Sequence, residues 1–162
     1  MTRYLSCAET AKLVRTELKR VFPHNRFSVR SHLYAGGASV RVEYLNGPAV
    51  EAVETVVKKF EGASFDSSID LKSYNYTVVE GEKIQYGSDY VNVTREIDTI
   101  TKTKVASMIA TEYGVSFISM DSIPNINNRW DNWHQLVWAY CRNRSIEEIH
   151  IAINGGVNRV VV

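Results

Sequence analysis

The chain has little cysteine, little proline and no long apolar run, and each scarcity excludes a class of protein. Only two of its 162 residues are cysteine, Cys7 and Cys141, so the dense disulfide framework of a small secreted domain is excluded. Three prolines and nine glycines leave no low-complexity linker. No apolar stretch approaches the ~20 residues of a membrane span. A hydrophobic content of 44% nevertheless suffices for a buried core, and the length favours one compact domain, with or without an extension.

The charge is balanced overall but not along the chain. Lys and Arg number 19 against 18 acidic residues, so the strongly basic composition of many nucleic-acid-binding domains is absent. Between Arg3 and Glu43, however, eight basic residues accompany only three acids, Glu9, Glu17 and Glu43. Any positively charged binding surface is therefore expected in the first part of the chain.

The first ten residues and the cysteines bear on the compartment. The N-terminus, MTRYLSCAET, shows neither the hydrophobic region nor the cleavage site of a secretory signal. Cys7 and Cys141 each fall within a predicted helix, and buried thiols in a reducing cytosol are favoured over a disulfide between them. We therefore expect a cytoplasmic protein that has no contact with a membrane.

The first 62 residues predict an α-β-β-α unit. Ser6 and Glu9 form a capping box ahead of a helix over 7–22, which Pro23 ends. Strict alternation over 27–34 and 38–44, with Gly36-Gly37 between, predicts a β-hairpin that has one apolar and one polar, basic face. A second helix is predicted from Pro48 to about residue 60.

The remaining residues predict further strands and two helices, which makes the fold class α+β. Strands are expected over 71–79, 90–97 and 115–120, helices over 102–113 and 130–144, and a terminal hairpin over 149–162. The domain organisation predicted is residues 1–97, followed by an α+β extension over 98–162 packed on the first part as one globule. A separate second subdomain and a single extended sheet both remain open.

The polar face of the predicted hairpin carries a candidate nucleic-acid-binding set, namely Arg30, His32, Tyr34 and Arg41. Cationic and aromatic side chains on one sheet face are how several modules hold single-stranded nucleic acid. The alternative is an ordinary solvated face, or one paired with Glu43 and covered by later chain.

Asp66, Asp70 and Lys72 resemble part of a metal-dependent nuclease site. Asp70-Leu71-Lys72 has the form acid-x-Lys with Asp66 just upstream, and in such a site the two acids hold Mg²⁺ while the lysine helps to position a water molecule. The favoured alternative is that Asp66 bonds the backbone of its own loop. The four histidines and two cysteines lack the paired spacing of a zinc site, so neither a metal nor any other cofactor is expected.

The predicted helix over 130–144 concentrates the large aromatic residues. A stripe at core spacing contains Trp130, Trp133, Val137 and Tyr140, and Cys141 with His134 is interpreted as core packing rather than as a nucleophile pair. Trp138 lies off the stripe. With Arg142, Arg144 and the loop over Phe65–Ile69, it forms a candidate protein-binding set, because Trp and Arg are frequent at binding hot spots.

Several phrases in the first part of the chain resemble a known family. They are YLSCAETAKLVRTELKRVFP at 4–23, FSVRSHLYAGGASVRVEY at 27–44, FEGASFDSSIDLKSY at 60–74 and YGSDYVNVTREI at 86–97. Together these phrases resemble the large polyvalent protein associated domain that is number twenty-nine of its series. The resemblance spans residues 4–97.

The resemblance implies a context rather than a chemistry. Domains of this kind occur in proteins of phages and conjugative elements, so it implies a non-enzymatic accessory protein in the cytoplasm of a bacterial host. The partner expected first is a host protein, in particular a defence protein. Nucleic acid bound on the hairpin face is the alternative, and a metal-dependent nuclease is the more distant one.

Overall fold

The computed structural model describes residues 2–66, 68, 71–126 and 131–155. Contacts between Cα atoms divide the chain into two compact units. Unit 1 contains Met1–Tyr44 and Ala52–Arg95, and unit 2 contains Leu45–Glu51 and Glu96–Val162. The described residues form five α-helices and eight strands. The α+β fold class predicted from the sequence is confirmed.

Helix α1, Cys7–Val21, begins at the predicted capping box. Ser6 Oγ accepts a hydrogen bond from Glu9 N at 3.2 Å, and the Glu9 carboxylate accepts one from Ser6 N at 2.8 Å. The helix buries the predicted apolar stripe, which includes Val14 and Leu18, both fully buried. The carboxylate of Glu17 projects from this helix and accepts hydrogen bonds from Arg20 and Lys59, which lower its pKa to about 2.

The predicted hairpin forms the centre of unit 1. Strand β2, Ser28–Tyr34, pairs antiparallel with β3, Gly37–Leu45, and β8, Tyr90–Glu96, lies on the other side of β3. Asp89 N bonds Ala38 O at 2.7 Å and Asn46 N bonds Glu96 O at 2.6 Å, so β3 and β8 run in the same direction.

Two helices contribute to the core on the apolar side of this sheet. Helix α2, Val50–Val57, continues into a 3₁₀ turn at Lys58–Phe60. The first core unites side chains from α1, α2 and all three strands, namely Ala11, Val14, Leu18, Val29, Val40, Val42, Val53, Val57, Phe60 and Val91. This arrangement confirms the predicted α-β-β-α unit.

The middle of unit 1 differs from the prediction. Strand β4, Ala63–Asp66, pairs antiparallel with β5, Leu71–Tyr74. Strands β6, Thr77–Val79, and β7, Glu82–Gln85, form a separate hairpin, and β1, Thr2–Tyr4, joins β7 in parallel. The single strand predicted over 71–79 is therefore wrong, because its first part pairs with β4, whereas Thr77–Val79 pairs with β7.

Unit 2 contains three helices, one more than predicted. Helix α3, Thr99–Tyr113, starts three residues earlier than expected because Asp98 caps it, accepting from Thr101 N at 2.9 Å. Helix α4 is Trp133–Arg142 and helix α5 is Ile146–Gly155. Their second core includes Val105, Ile109, Trp133, Leu136, Val137, Tyr140, Cys141 and Ile149.

Two predicted strand regions of unit 2 are wrong. The first part of the predicted terminal hairpin is helix α5 instead. Two reciprocal hydrogen bonds cap the start of this helix: Ser145 N donates to Glu148 Oε2 at 2.6 Å, and Glu148 N donates to Ser145 Oγ at 3.3 Å. The rest of that prediction, 156–162, lies outside the described residues. Residues 115–120 include partly buried Phe117 and exposed Ile118, but no described strand pairs with them, so the short strand predicted there does not form.

Both cysteines are buried free thiols, as expected from the sequence. Burial is the main cause that raises the pKa of Cys7. Among the described residues, no helix combines the length and the apolar character needed to cross a membrane.

Candidate functional site

The polar face of the hairpin places two arginines directly opposite each other. In the antiparallel register Arg30 is the Cα partner of Arg41, so both side chains project from the same face at neighbouring positions. Both are exposed, and neither has an ion pair or a hydrogen bond with the described part of the chain. Two like charges held side by side without a counter-ion favour an external anion.

His32 and Tyr34 continue this face toward the hairpin tip. Their side chains share it with Arg30 because residues two apart in a strand point the same way. The two ring centroids lie 6.0 Å apart, and Tyr34 is 43% exposed. The structure thus places the four predicted residues on one face, here called the basic sheet face (Arg30, His32, Tyr34 and Arg41).

Two other residues of β3 set the limits of the basic sheet face. Ser39, the register partner of His32, is buried, so the face is not open along its whole length. Glu43 is the acid of β3 on this side, two residues from Arg41, and the structure shows no ion pair between the two. The charge at the Arg30–Arg41 rung is consequently not compensated from within the hairpin.

A carboxylate from a distant segment lies at the tip of the hairpin. Asp89 Oδ2 accepts a hydrogen bond from Ala38 N at 3.1 Å, while Asp89 N donates to Ala38 O at 2.7 Å. The preceding residues are also anchored, since Gly87 N donates to Thr10 Oγ1 at 3.0 Å and buried Ser88 donates from Oγ to Phe60 O at 2.9 Å. Asp89 is therefore held by both its backbone and its side chain.

Asp89 in turn positions Lys72, which the sequence associated with a nuclease motif. Lys72 Nζ lies 2.9 Å from Asp89 Oδ1, and this hydrogen bond is the main cause that raises the pKa of Lys72. Two residues along β5, Tyr74 shares the side of Lys72, and the ammonium lies 5.5 Å from its ring centroid. We call Tyr34, Lys72, Tyr74 and Asp89 the Lys72 cluster.

The close approach of Tyr34 to Asp89 depends on Gly37. A Cβ atom at this position would collide with the Asp89 carboxylate and would lie 2.8 Å from Tyr34 Cε2 and 2.9 Å from Tyr34 Oη. Gly37 thus lets the end of the basic sheet face meet the Lys72 cluster. Tyr74 and Asp89 were missed in the sequence; the alternation over 71–74 could have identified Tyr74, but no local signal identifies Asp89.

Helix α4 of unit 2 carries the second predicted surface. Trp133, Val137 and Tyr140 are buried as the stripe predicts, whereas Trp138 is 62% exposed. The exposed guanidinium of Arg142, one turn along, lies 5.1 Å from the Trp138 ring centroid. Trp138 and Arg142 therefore form one exposed aromatic and cationic pair.

Arg144 does not share that exposed position. Its guanidinium lies 4.2 Å from the ring centroid of Tyr140 and donates to Tyr140 O at 2.7 Å. Its interactions therefore lie within unit 2. Burial is the main cause that raises the pKa of Tyr140.

The other predicted site residues fall outside what the structure describes. These are the side chains of Phe65 and Asp66, together with Ile69, Asp70 and Trp130. Among the described residues, no group of three or more His, Cys, Asp or Glu side chains could hold a metal ion. His134 is exposed, with Nε2 3.9 Å from Asp121 Oδ1, while Cys141 is buried in the second core.

Comparison with known proteins yields one match. No curated protein and no solved structure matches the chain. The family model described as Large polyvalent protein associated domain 29 matches residues 5–103, which confirms the resemblance found over 4–97. The match links the chain to proteins associated with phages and mobile elements. The chain belongs to the family of Large polyvalent protein associated domain 29.

Proposed function

We propose that this protein acts by binding rather than by catalysis, as an accessory protein of a phage or mobile element, and that the basic sheet face binds nucleic acid. The observation that carries the proposal is the unpaired Arg30–Arg41 rung. Like charges directly opposite each other in a sheet destabilise it, so their retention is consistent with an anionic ligand.

A phosphate backbone supplies that anion at regular spacing. Guanidinium groups bind phosphate oxygens with two parallel hydrogen bonds, and such contacts position a nucleic acid without reading its sequence. His32 and Tyr34 add ring surface beside the charges. This combination of cations and rings on an exposed sheet is suited to nucleic acid more than to an acidic protein surface.

The test is binding of a fluorescein-labelled oligonucleotide, followed by anisotropy over a range of salt concentrations. We expect the affinity to fall as salt rises, and the Arg30→Ala/Arg41→Ala variant to lose both affinity and about 1.4 units of the log–log salt slope on a single strand. Lys12→Ala/Lys19→Ala is the matched control: it removes the same charge from exposed positions of α1 and should bind normally. Equal binding by the two variants, or no binding at low salt, would refute the proposal.

A second candidate function rests on Trp138 in unit 2. An exposed tryptophan beside an exposed arginine is the composition of a protein-binding hot spot. In this second candidate function the protein binds a host protein, and the proposed target is a defence protein. A stoichiometric partner captured from host lysate should survive nuclease treatment, persist with Arg30→Ala/Arg41→Ala, and be lost with Trp138→Ala. Loss on nuclease treatment would reject this candidate and support the first.

A further inference from the structure

We propose that the nucleic acid taken by this site is single-stranded, with Tyr34 and Tyr74 as base-stacking surfaces and Lys72 as a phosphate ligand between them. The inference rests on the proposed function and names its substrate class. It extends the binding surface from the hairpin to strand β5, where Lys72 takes the role of a phosphate ligand and Tyr74 that of a stacking surface.

The two tyrosines adjoin the same ion pair. The Lys72 ammonium lies 5.5 Å from the Tyr74 ring centroid, and the Tyr34 ring and the Asp89 carboxylate both lie close to Gly37. Both rings are accessible, Tyr34 at 43% and Tyr74 at 57% exposure. Two accessible rings beside a cation form a surface on which unpaired bases can stack, whatever their sequence.

Lys72 is held in place and still has donors to offer. Its side chain is 30% exposed and that of Asp89 is 13% exposed, so the pair lies partly out of water. An ammonium has three N–H donors, and the bond to Asp89 uses one of them. The remaining donors can bind a phosphate oxygen with little further loss of side-chain freedom, because Asp89 has already fixed the lysine.

A duplex does not fit this arrangement. Bases in a duplex are already stacked on one another and present only their edges in the grooves, so Tyr34 and Tyr74 would gain no stacking from it. Phosphate contacts with Arg30 and Arg41 would remain. The chemistry shared by single-stranded DNA and RNA, namely unpaired bases on a phosphodiester chain, is what the Lys72 cluster recognises.

The experiment compares a labelled 12-nucleotide single strand with the 12-base-pair duplex made from it, as DNA and as RNA. The wild-type protein should bind the single strand more than about tenfold tighter. Tyr34→Leu/Tyr74→Leu should weaken single-strand binding by about 25-fold or more, since stacking contributes about 5- to 150-fold per base. Duplex binding should change little. If single-stranded DNA and RNA bind with equal affinity, the recognised groups are the bases and the phosphates. If RNA binds more tightly, the protein also contacts the ribose. Both results support the inference.

The control is Tyr34→Phe/Tyr74→Phe, which keeps the rings and should keep the affinity. Both positions are exposed, so the double leucine variant should fold. If the double variant does not fold, the single variant Tyr74→Leu takes its place in the experiment. Lys72→Met should weaken the single-strand complex further and lower its salt slope by about 0.7. Duplex binding as tight as single-strand binding, or an unchanged leucine variant, overturns this inference and leaves the proposed function standing. Failure of both nucleic acids to bind overturns both.

Discussion

The Arg30–Arg41 rung permits a prediction in which stability and function change in opposite directions. Arg41→Glu converts two like charges at directly opposed positions into an opposite-charge pair. If the rung is retained for an external anion, the substitution should stabilise the fold and weaken nucleic-acid binding. A residue that serves only the fold would not behave in this way.

The magnitude follows from the geometry of the sheet. A like-charge pair in register costs about 0.2–1 kcal/mol and an opposite-charge pair gains a similar amount. Both side chains are exposed, so solvent screening places each effect in the lower half of that range. The sum is a stabilisation of about 0.5–1 kcal/mol, which for a chain of this length raises Tm by about 1–4 °C.

The assay is thermal unfolding followed by far-ultraviolet circular dichroism. Circular dichroism reports directly on the backbone of the hairpin, whereas all three tryptophans belong to unit 2. Arg41→Gln removes the repulsion without adding attraction, so its gain should be about half as large. In 1 M salt the Debye length falls to about 3 Å and the difference between the variants should shrink.

A double-mutant cycle isolates the pair. In an Arg30→Gln background, Arg41→Glu should no longer raise Tm, because the opposing charge is gone. A lower Tm for Arg41→Glu in the native background would refute the reasoning. So would a gain that persists without Arg30, since it would show that Arg41 faces another charge.

The remaining predictions concern α4 and α1. Trp133→Ala should lower the free energy of unfolding by about 3–5 kcal/mol because Trp133 is fully buried. Trp138→Ala should change it by less than about 0.5 kcal/mol because Trp138 is exposed. Chemical denaturation measures both free energies, and equal losses would contradict the assigned burial. Hydrogen bonds from Arg20 and Lys59 lower the pKa of Glu17 from 4.5 to about 2, so its stabilisation is full above pH 4.5 and is lost as the pH falls toward 2. The difference in Tm between wild type and Glu17→Gln should therefore narrow as the pH falls from 4.5 toward 2, and a constant difference over that range would exclude this linkage.

Local sequence signals predicted those elements whose determinants are close together in the chain. The capping box at Ser6 and Glu9 and the stripe behind it predict α1, and the structure confirms both. The same kind of signal stands at Ser145 and Glu148, at the start of α5, although the sequence analysis predicts a terminal hairpin over 149–162. A local signal for α5 is therefore present in the sequence, and the prediction missed it.

Strand predictions failed where a partner was needed. Residues 115–120 are apolar enough to predict a short strand, yet a strand requires a neighbour for its backbone groups, and none of the described strands pairs with this segment. Strand β1, in contrast, is three residues long and was not predicted at all. It exists because β7, some 80 residues later, pairs with it in parallel.

The candidate site divides in the same way. Alternation and the Gly36-Gly37 turn by themselves determined that Arg30, His32, Tyr34 and Arg41 share one face, because a two-residue period and a tight turn set both facing and register within 15 residues. Only the tertiary structure brought Lys72 and Tyr74 to the tip of the hairpin, through Asp89, the residue that precedes β8. Short-range geometry is encoded locally, whereas an ion pair between segments distant in the chain depends on how the whole unit packs.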